Sequence, residues 1–185
     1  MVGRMTAEAV PFLLISGPPG VGKTAVMWEL YSRLAELDVP HAIADLDLLA
    51  ASWPRMTGDP FNERLGSLNL QAVWQNFRAA GARRLVAAGV VESREQIDLY
   101  RNAVPNCDIT LCRLRASAHV LKSRIHDRGR ETGVEADRLW RRAIELSEKL
   151  DQAGIDDFVV DTESRPLAAV AERVLVGCGW PGAQT

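Results

Sequence analysis

Eight residues near the amino terminus, Gly17-Pro18-Pro19-Gly20-Val21-Gly22-Lys23-Thr24, match the pattern G-x-x-x-x-G-K-[ST] at every fixed position. They stand between a fully apolar run (residues 11–16) and a segment of helical periodicity (residues 25–37). A turn of that composition, between a strand and a helix, turns several backbone N–H groups toward one point at the helix's positive end. Orphan amides and the helix dipole both favour an anion there. The glycines let the backbone curl without a Cβ in the way. Residues Gly17 to Thr24, with Ala25 opening the helix, are therefore a candidate nucleotide-phosphate site. Lys23 can reach the β- and γ-phosphate oxygens, and the Thr24 hydroxyl is placed to ligate Mg²⁺.

The rest of the chain alternates strand-like and helical segments. Apolar or alternating runs at residues 40–45 or 40–47, 84–91, 108–114 and 157–161 read as four further strands. Helical patterns cover residues 68–80, 94–103, 118–127, 135–152 and 166–176, the second of them opened by the capping box Ser93-Arg94-Glu95-Gln96. Residues 52–67 carry Trp53-Pro54, Gly58, Asp59-Pro60 and Gly66 and read as a long loop or broken helix. The Leu70, Val73, Trp74, Phe77 stripe reads as core. The tail after Gly177 reads as frayed. Strands alternating with helices call for right-handed crossovers and a parallel sheet covered on both faces. The expectation is one α/β domain over all 185 residues, with a variable region at 52–80.

Composition narrows the setting. Hydrophobic residues at 47% and charged ones at 25% are ordinary for a globular chain, and a net charge of −2 gives no reason to expect nucleic acid or an anionic membrane as partner. No apolar run reaches the roughly 20 residues of a membrane span, and residues 1–8 lack the layout of a signal peptide. Three cysteines without C-x-x-C spacing read as reduced packing residues, so the expected location is cytoplasmic. The three histidines are scattered and do not suggest a metal site.

Acidic residues at strand ends point to chemistry. Asp45 and Asp47 close the second strand, and an extended chain would turn both the same way. Open α/β sheets bind ligands at the carboxyl ends of their strands. Residues 113–142 are rich in Arg and Lys, with Arg124, Arg128 and Arg130 grouped where guanidinium donors could close on phosphate. Arg138, Arg141 and Arg142 read as surface. Arg55, Arg64, Asn69, Asn76, Arg78 and Glu92 are candidates for reading an acceptor. The Asn-Lys-x-Asp motif of GTPases is absent. So is the apolar strand ending in Asp or Asp-Glu of motor and transporter ATPases.

On the phosphate loop, the Asp-Leu-Asp at 45–47, the Leu121-Lys122-x-Arg124-x-x-x-Arg128 helix and the Val159-Val160-Asp161-Thr162 strand end, the chain resembles the nucleoside-monophosphate-kinase-like group of P-loop phosphotransferases. Within that group it is most similar to adenylylsulfate kinase, chloramphenicol phosphotransferase and the tunicamycin-resistance ATP-binding proteins. The resemblance implies a three-layer P-loop NTPase fold with a five-stranded parallel sheet in the order 2-3-1-4-5 and an Arg-bearing lid. The roles of residues 52–80 in acceptor binding and of 128–136 as that mobile lid are implied only by this resemblance. It implies ATP and Mg²⁺ as cofactors and a small hydroxylated molecule as partner. Asp47, or else Asp45, would take the position of the acceptor-activating carboxylate. Asp45 is otherwise the candidate for Mg²⁺ beside Thr24, and Lys23, Arg124 and Arg128 for the phosphates. Two alternatives stay open: an ATP-dependent regulatory protein without an acceptor, and a kinase of nucleic-acid 5′ ends.

Overall fold

A computed structural model describes residues 8–129 and 131–181. The chain runs β1 (Val10–Ser16), α1 (Lys23–Glu36), β2 (His41–Asp45), α2 (Leu46–Leu49), α3 (Glu63–Ala79), β3 (Arg84–Ala88), α4 (Arg94–Ala103), β4 (Cys107–Arg115), α5 (Ala118–Asp127), α6 (Val134–Ala153), β5 (Phe158–Asp161) and α7 (Leu167–Cys178). All five strands are parallel, in the order β2-β3-β1-β4-β5, as expected. The central strand β1 carries no charge and is buried from Phe12 onward, because helices cover both faces of the sheet.

Side-chain alternation along β1 sorts the core into two layers. Leu13 and Ile15 face α1, α5, α6 and α7, meeting Leu30, Leu121, Ala143 and Val174. Phe12 and Leu14 face α3 and α4, meeting Leu70, Trp74, Ile97 and Tyr100. The expected Leu70/Trp74 stripe is thus core. The buried Arg113 of β4 pairs with Asp156 at 2.8 Å and Asp151 at 2.6 Å, fastening the end of α6 to the sheet. Cys107, Cys112 and Cys178 are free thiols, and burial raises the pKa of each. Among the described residues no helix is long and apolar enough to cross a membrane.

Several expectations need correction. Of the two ends expected for the second strand the chain takes Asp45, because Asp45 Oδ1 accepts from the N–H groups of Asp47 and Leu48 and starts α2. Asp45 and Asp47 therefore do not share one face of a strand. The third strand ends at Ala88, three residues early. The helix expected from residue 68 begins at Glu63, where Asp59 accepts from the N–H groups of Glu63 and Arg64. It runs straight through Gly66, since that glycine lies against Ala50 and not in a turn. The tail does not fray after Gly177: α7 reaches Cys178, and the buried Trp180 packs into the core with Arg84 stacked 5.7 Å from its ring centroid. Arg130 and residues 182–185 lie outside the described residues.

Candidate active site

The sheet register sets the frame. Asp45 lies level with Ala88, and Ala88 with Ile15, so the carboxyl ends of β2, β3 and β1 form one rim. With strands about 4.8 Å apart, Asp45 sits two strands, or roughly 10 Å, from the start of the phosphate loop. That gap is bridged by side chains: Thr24 Oγ1 donates to Asp45 Oδ2 at 3.1 Å. Two hard oxygen donors converge there, which suits Mg²⁺, an ion usually held by one or two protein groups plus phosphate oxygens. Among the described residues no cluster of three His, Cys, Asp or Glu side chains forms a closed metal cage.

The phosphate loop passes so close beneath β4 that a Cβ on Gly17 would stand 2.6 Å from the Leu114 carbonyl oxygen, and its φ of 146° lies in the region that favours glycine. Gly22 precedes α1 without any side-chain cap, so the first-turn amides remain available to an anion. Lys23 Nζ donates to the carbonyls of Gly17 at 2.9 Å and Pro18 at 3.4 Å. Burial lowers the Lys23 pKa; Asp47 and Asp45 oppose that, and Arg128 adds to it.

Around the loop lies a cleft lined by Gly20, Gly22, Lys23, Thr24, Asp45, Asp47, Arg124 and Arg128. It brings together most of the residues singled out from the sequence. Pro18 does not line it; its carbonyl supports Lys23 from behind. Arg128 pairs with Glu131 at 2.7 Å. Arg124 is committed to the backbone: it donates to the carbonyls of Val21 and Thr162 and to the Thr162 hydroxyl. A second cavity, about 300 Å³, lies behind Arg124 and is lined by Val21, Val26, Thr162, Arg165, Leu167 and Val170.

A third cavity, about 350 Å³, adjoins the cleft on the side of α3 and α4. Asp47, Pro19 and Val90 line both spaces. Asp47 keeps an accessible face toward them, yet the surrounding protein raises its carboxyl pKa; Lys23 opposes the rise and Asp45 adds to it. Of the acceptor candidates, Arg55 and Glu92 reach this cavity, whereas Arg64, Asn69, Asn76 and Arg78 do not. Asn69 instead donates to the Leu49 carbonyl. Arg142, expected at the surface, lines the cavity and pairs with Glu92 at 3.2 Å. Sequence reading missed Asn62, Glu63, Gln96 and Tyr100, which also line it. Tyr100 falls on α4, for which the sequence showed only the bounds and the capping box. Burial, then Glu63 and Asp47, push its phenol up to about 12.

A phosphate loop after the central strand of a parallel sheet in this order defines the P-loop NTPase fold, in the form shared by small-molecule kinases. No protein-family model matches the chain, and no curated protein matches it. Solved structures do. A tunicamycin resistance protein from Deinococcus radiodurans aligns at 22% identity over 95% of this chain and 99% of its own, with a TM-score of 0.64. A gluconokinase from Sinorhizobium meliloti aligns at 21% identity over 93% of each chain, TM-score 0.60. A shikimate kinase from Acinetobacter baumannii, in complex with shikimate, aligns at 15% identity over 91% of this chain and 92% of its own, TM-score 0.55.

Proposed function

We propose that this protein is an ATP- and Mg²⁺-dependent phosphotransferase that moves the γ-phosphate onto a hydroxyl of a small molecule. The observation that carries the reading is the position of Asp47, whose side chain lines the phosphate-loop cleft on one side and the adjoining cavity on the other. A carboxylate at that junction can touch a hydroxyl in one space while it faces a phosphate in the other. The shared fold of a gluconokinase and a shikimate kinase supports the same reading.

Phosphoryl transfer needs in-line positioning and neutralisation of charge more than covalent help. The loop amides and Lys23 hold the β- and γ-phosphates, and the cavity behind Arg124 takes the nucleobase. Thr24 and Asp45 are the groups that would hold Mg²⁺, which, when bound, offsets phosphate charge. The acceptor hydroxyl gives its proton to Asp47 while its oxygen bonds to the γ-phosphorus. The bond from that phosphorus to the β–γ bridging oxygen breaks, leaving ADP and a phosphate ester. The raised pKa of Asp47 suits a base, because proton transfer is most efficient when the base's pKa approaches the working pH. Arg128 and Glu131 belong to a lid in which Arg128 exchanges Glu131 for phosphate oxygens.

Acceptor-dependent ADP release by the purified protein, across a broad panel of hydroxylated compounds, tests this. Lys23→Ala is expected to lose ATP affinity. Asp47→Asn is expected to keep that affinity and lose about 10²- to 10⁴-fold in turnover, the usual range for a general base. Full turnover in Asp47→Asn would remove Asp47 from its role. Normal ATP binding with no acceptor-dependent ADP release would reject the kinase reading in favour of an ATP-dependent regulatory protein.

A further inference from the structure

We infer that the acceptor is a hydroxylated amine, its ammonium group held by Glu63 and one of its hydroxyls by Tyr100; this rests on the phosphotransferase reading and narrows it. The cavity beside Asp47, about 350 Å³, lies at the small end of the roughly 300–1,000 Å³ typical of small-molecule sites. It suits a molecule of about monosaccharide size. Its walls are apolar at Leu46, Ala50, Val90 and Leu146, and its charged lining is three carboxylates, Asp47, Glu63 and Glu92, against two guanidiniums, Arg55 and Arg142.

The guanidiniums have partners of their own. Arg142 pairs with Glu92, whose second oxygen lies 3.7 Å from Lys149 Nζ. Arg55 is exposed at the mouth and donates to the Pro60 carbonyl at 2.8 Å. Glu63 is different. Gln96 Oε1 accepts from the N–H groups of Glu92 and Ser93, so the amide nitrogen of Gln96 must face Glu63, and it donates to Glu63 Oε1 at 2.6 Å. One oxygen is thereby held in place. The other, Oε2, takes no donor from the described residues, and Arg55 is the one guanidinium lining the cavity that has no carboxylate partner among them.

An independent observation points to a ligand at the same place. Tyr100 is only 6% exposed and lines the cavity, and its hydroxyl, unbonded to the described residues, is open to that space and not sealed in the core. Such a hydroxyl is available to bond a ligand group or water there. Phe61, at the mouth, adds a ring face of the kind that attracts a cation. An acceptor bearing a carboxylate would meet Asp47 and Glu63, with only Arg55, exposed and held to the Pro60 carbonyl, to offset them.

The test uses matched sets of three acceptors on one carbon frame, amine, neutral and carboxylate, starting with glucosamine, glucose and gluconate and extending to aminocyclitols and amino alcohols. ADP release with the full-length protein should show kcat/KM for the amine members about tenfold or more above the neutral ones, the size expected of one hydrogen bond to a charged group. Glu63→Gln should erase that preference by raising KM for the amine members. Tyr100→Phe should raise KM for the amine and neutral members alike. Preference for the carboxylate members, or an amine preference unaltered by Glu63→Gln, would overturn the inference and leave the kinase reading standing. Absence of acceptor-dependent ADP release across all sets would reject both.

Discussion

The hydroxyl of Thr24 donates to Asp45 Oδ2 at 3.1 Å. One hydrogen bond thus joins the first turn of α1 to the end of β2, across the intervening strand β3. Asp45 uses its other oxygen to cap α2, so it both shapes the rim and contributes a candidate metal ligand.

These two roles separate by substitution. Asparagine caps helices about as well as aspartate, so Asp45→Asn should unfold near the wild-type temperature. Its Mg²⁺ requirement for turnover should rise about 10- to 100-fold, as is typical when a group in a metal's surroundings is lost. Asp45→Ala should lose about 1 kcal/mol of stability as well, the worth of the cap. Mg²⁺ titrations of turnover, alongside thermal melts, check both; an unchanged Mg²⁺ requirement in Asp45→Asn would remove it from the metal's surroundings.

Arg124 carries a prediction about stability. Its guanidinium binds Val21 O at 3.2 Å, Thr162 Oγ1 at 2.8 Å and Thr162 O at 2.8 Å, tying the phosphate loop to the end of β5. Arg124→Ala takes that donor from the Thr162 carbonyl and hydroxyl, while Val21 O keeps the Thr162 hydroxyl at 3.3 Å, and should cost about 2 kcal/mol in denaturant unfolding of the nucleotide-free protein. Lysine should recover only part, because a single ammonium cannot reproduce the planar fork. Unaltered unfolding with reduced ATP affinity would show that Arg124 serves the nucleotide alone.

Gly89 should control the placement of the acids from behind. A Cβ there would stand 2.8 Å from Leu46 Cβ and 3.0 Å from its Cδ1, and Leu46 sits between Asp45 and Asp47. Gly89→Ala should destabilise by about 1–3 kcal/mol, as overpacking does, and lower kcat more than ATP affinity. If Gly89→Ala matched the wild type in kcat and in unfolding, the close approach would have no consequence.

Tyr100 predicts an alkaline effect. The folded state raises its phenol to about 12, against about 10 in an unfolded chain. Between those values the folded state keeps a proton that the unfolded chain has lost. This group's stabilisation is therefore complete below about pH 10 and shrinks as pH rises, by about 2 kcal/mol at pH 12. Denaturant midpoints followed from pH 9 to 12 should fall less steeply in Tyr100→Phe; identical slopes would contradict the shift.

Much of the molecule was legible in the residue order. The phosphate loop, the capping box at Ser93, the bounds of α4 and α5 and the parallel sheet all rest on local periodicity and turn chemistry, which act over a few neighbours in the chain. Element ends decided by a distant partner or a side-chain cap were misjudged. Asp45 and Asp47 look like one face of a strand end until the Asp45 carboxylate is seen capping α2, and Gly66 looks like a turn until it is seen against Ala50. Trp180 looks like a loose tail until its place in the core is known.

The nucleotide half of the candidate site belongs to the first kind. Its amides, Lys23 and Thr24 lie within eight consecutive residues, so one contiguous stretch carries both the pattern and the chemistry. The other half is of the second kind. Asp47, Glu63, Gln96, Tyr100 and Arg142 come from four helices, α2, α3, α4 and α6, and share one cavity only because the crossovers return those helices to the same edge of the sheet. No spacing along the chain encodes that convergence. Tertiary packing alone turned a tyrosine with no sequence signal of its own and a surface-looking arginine into walls of one chamber.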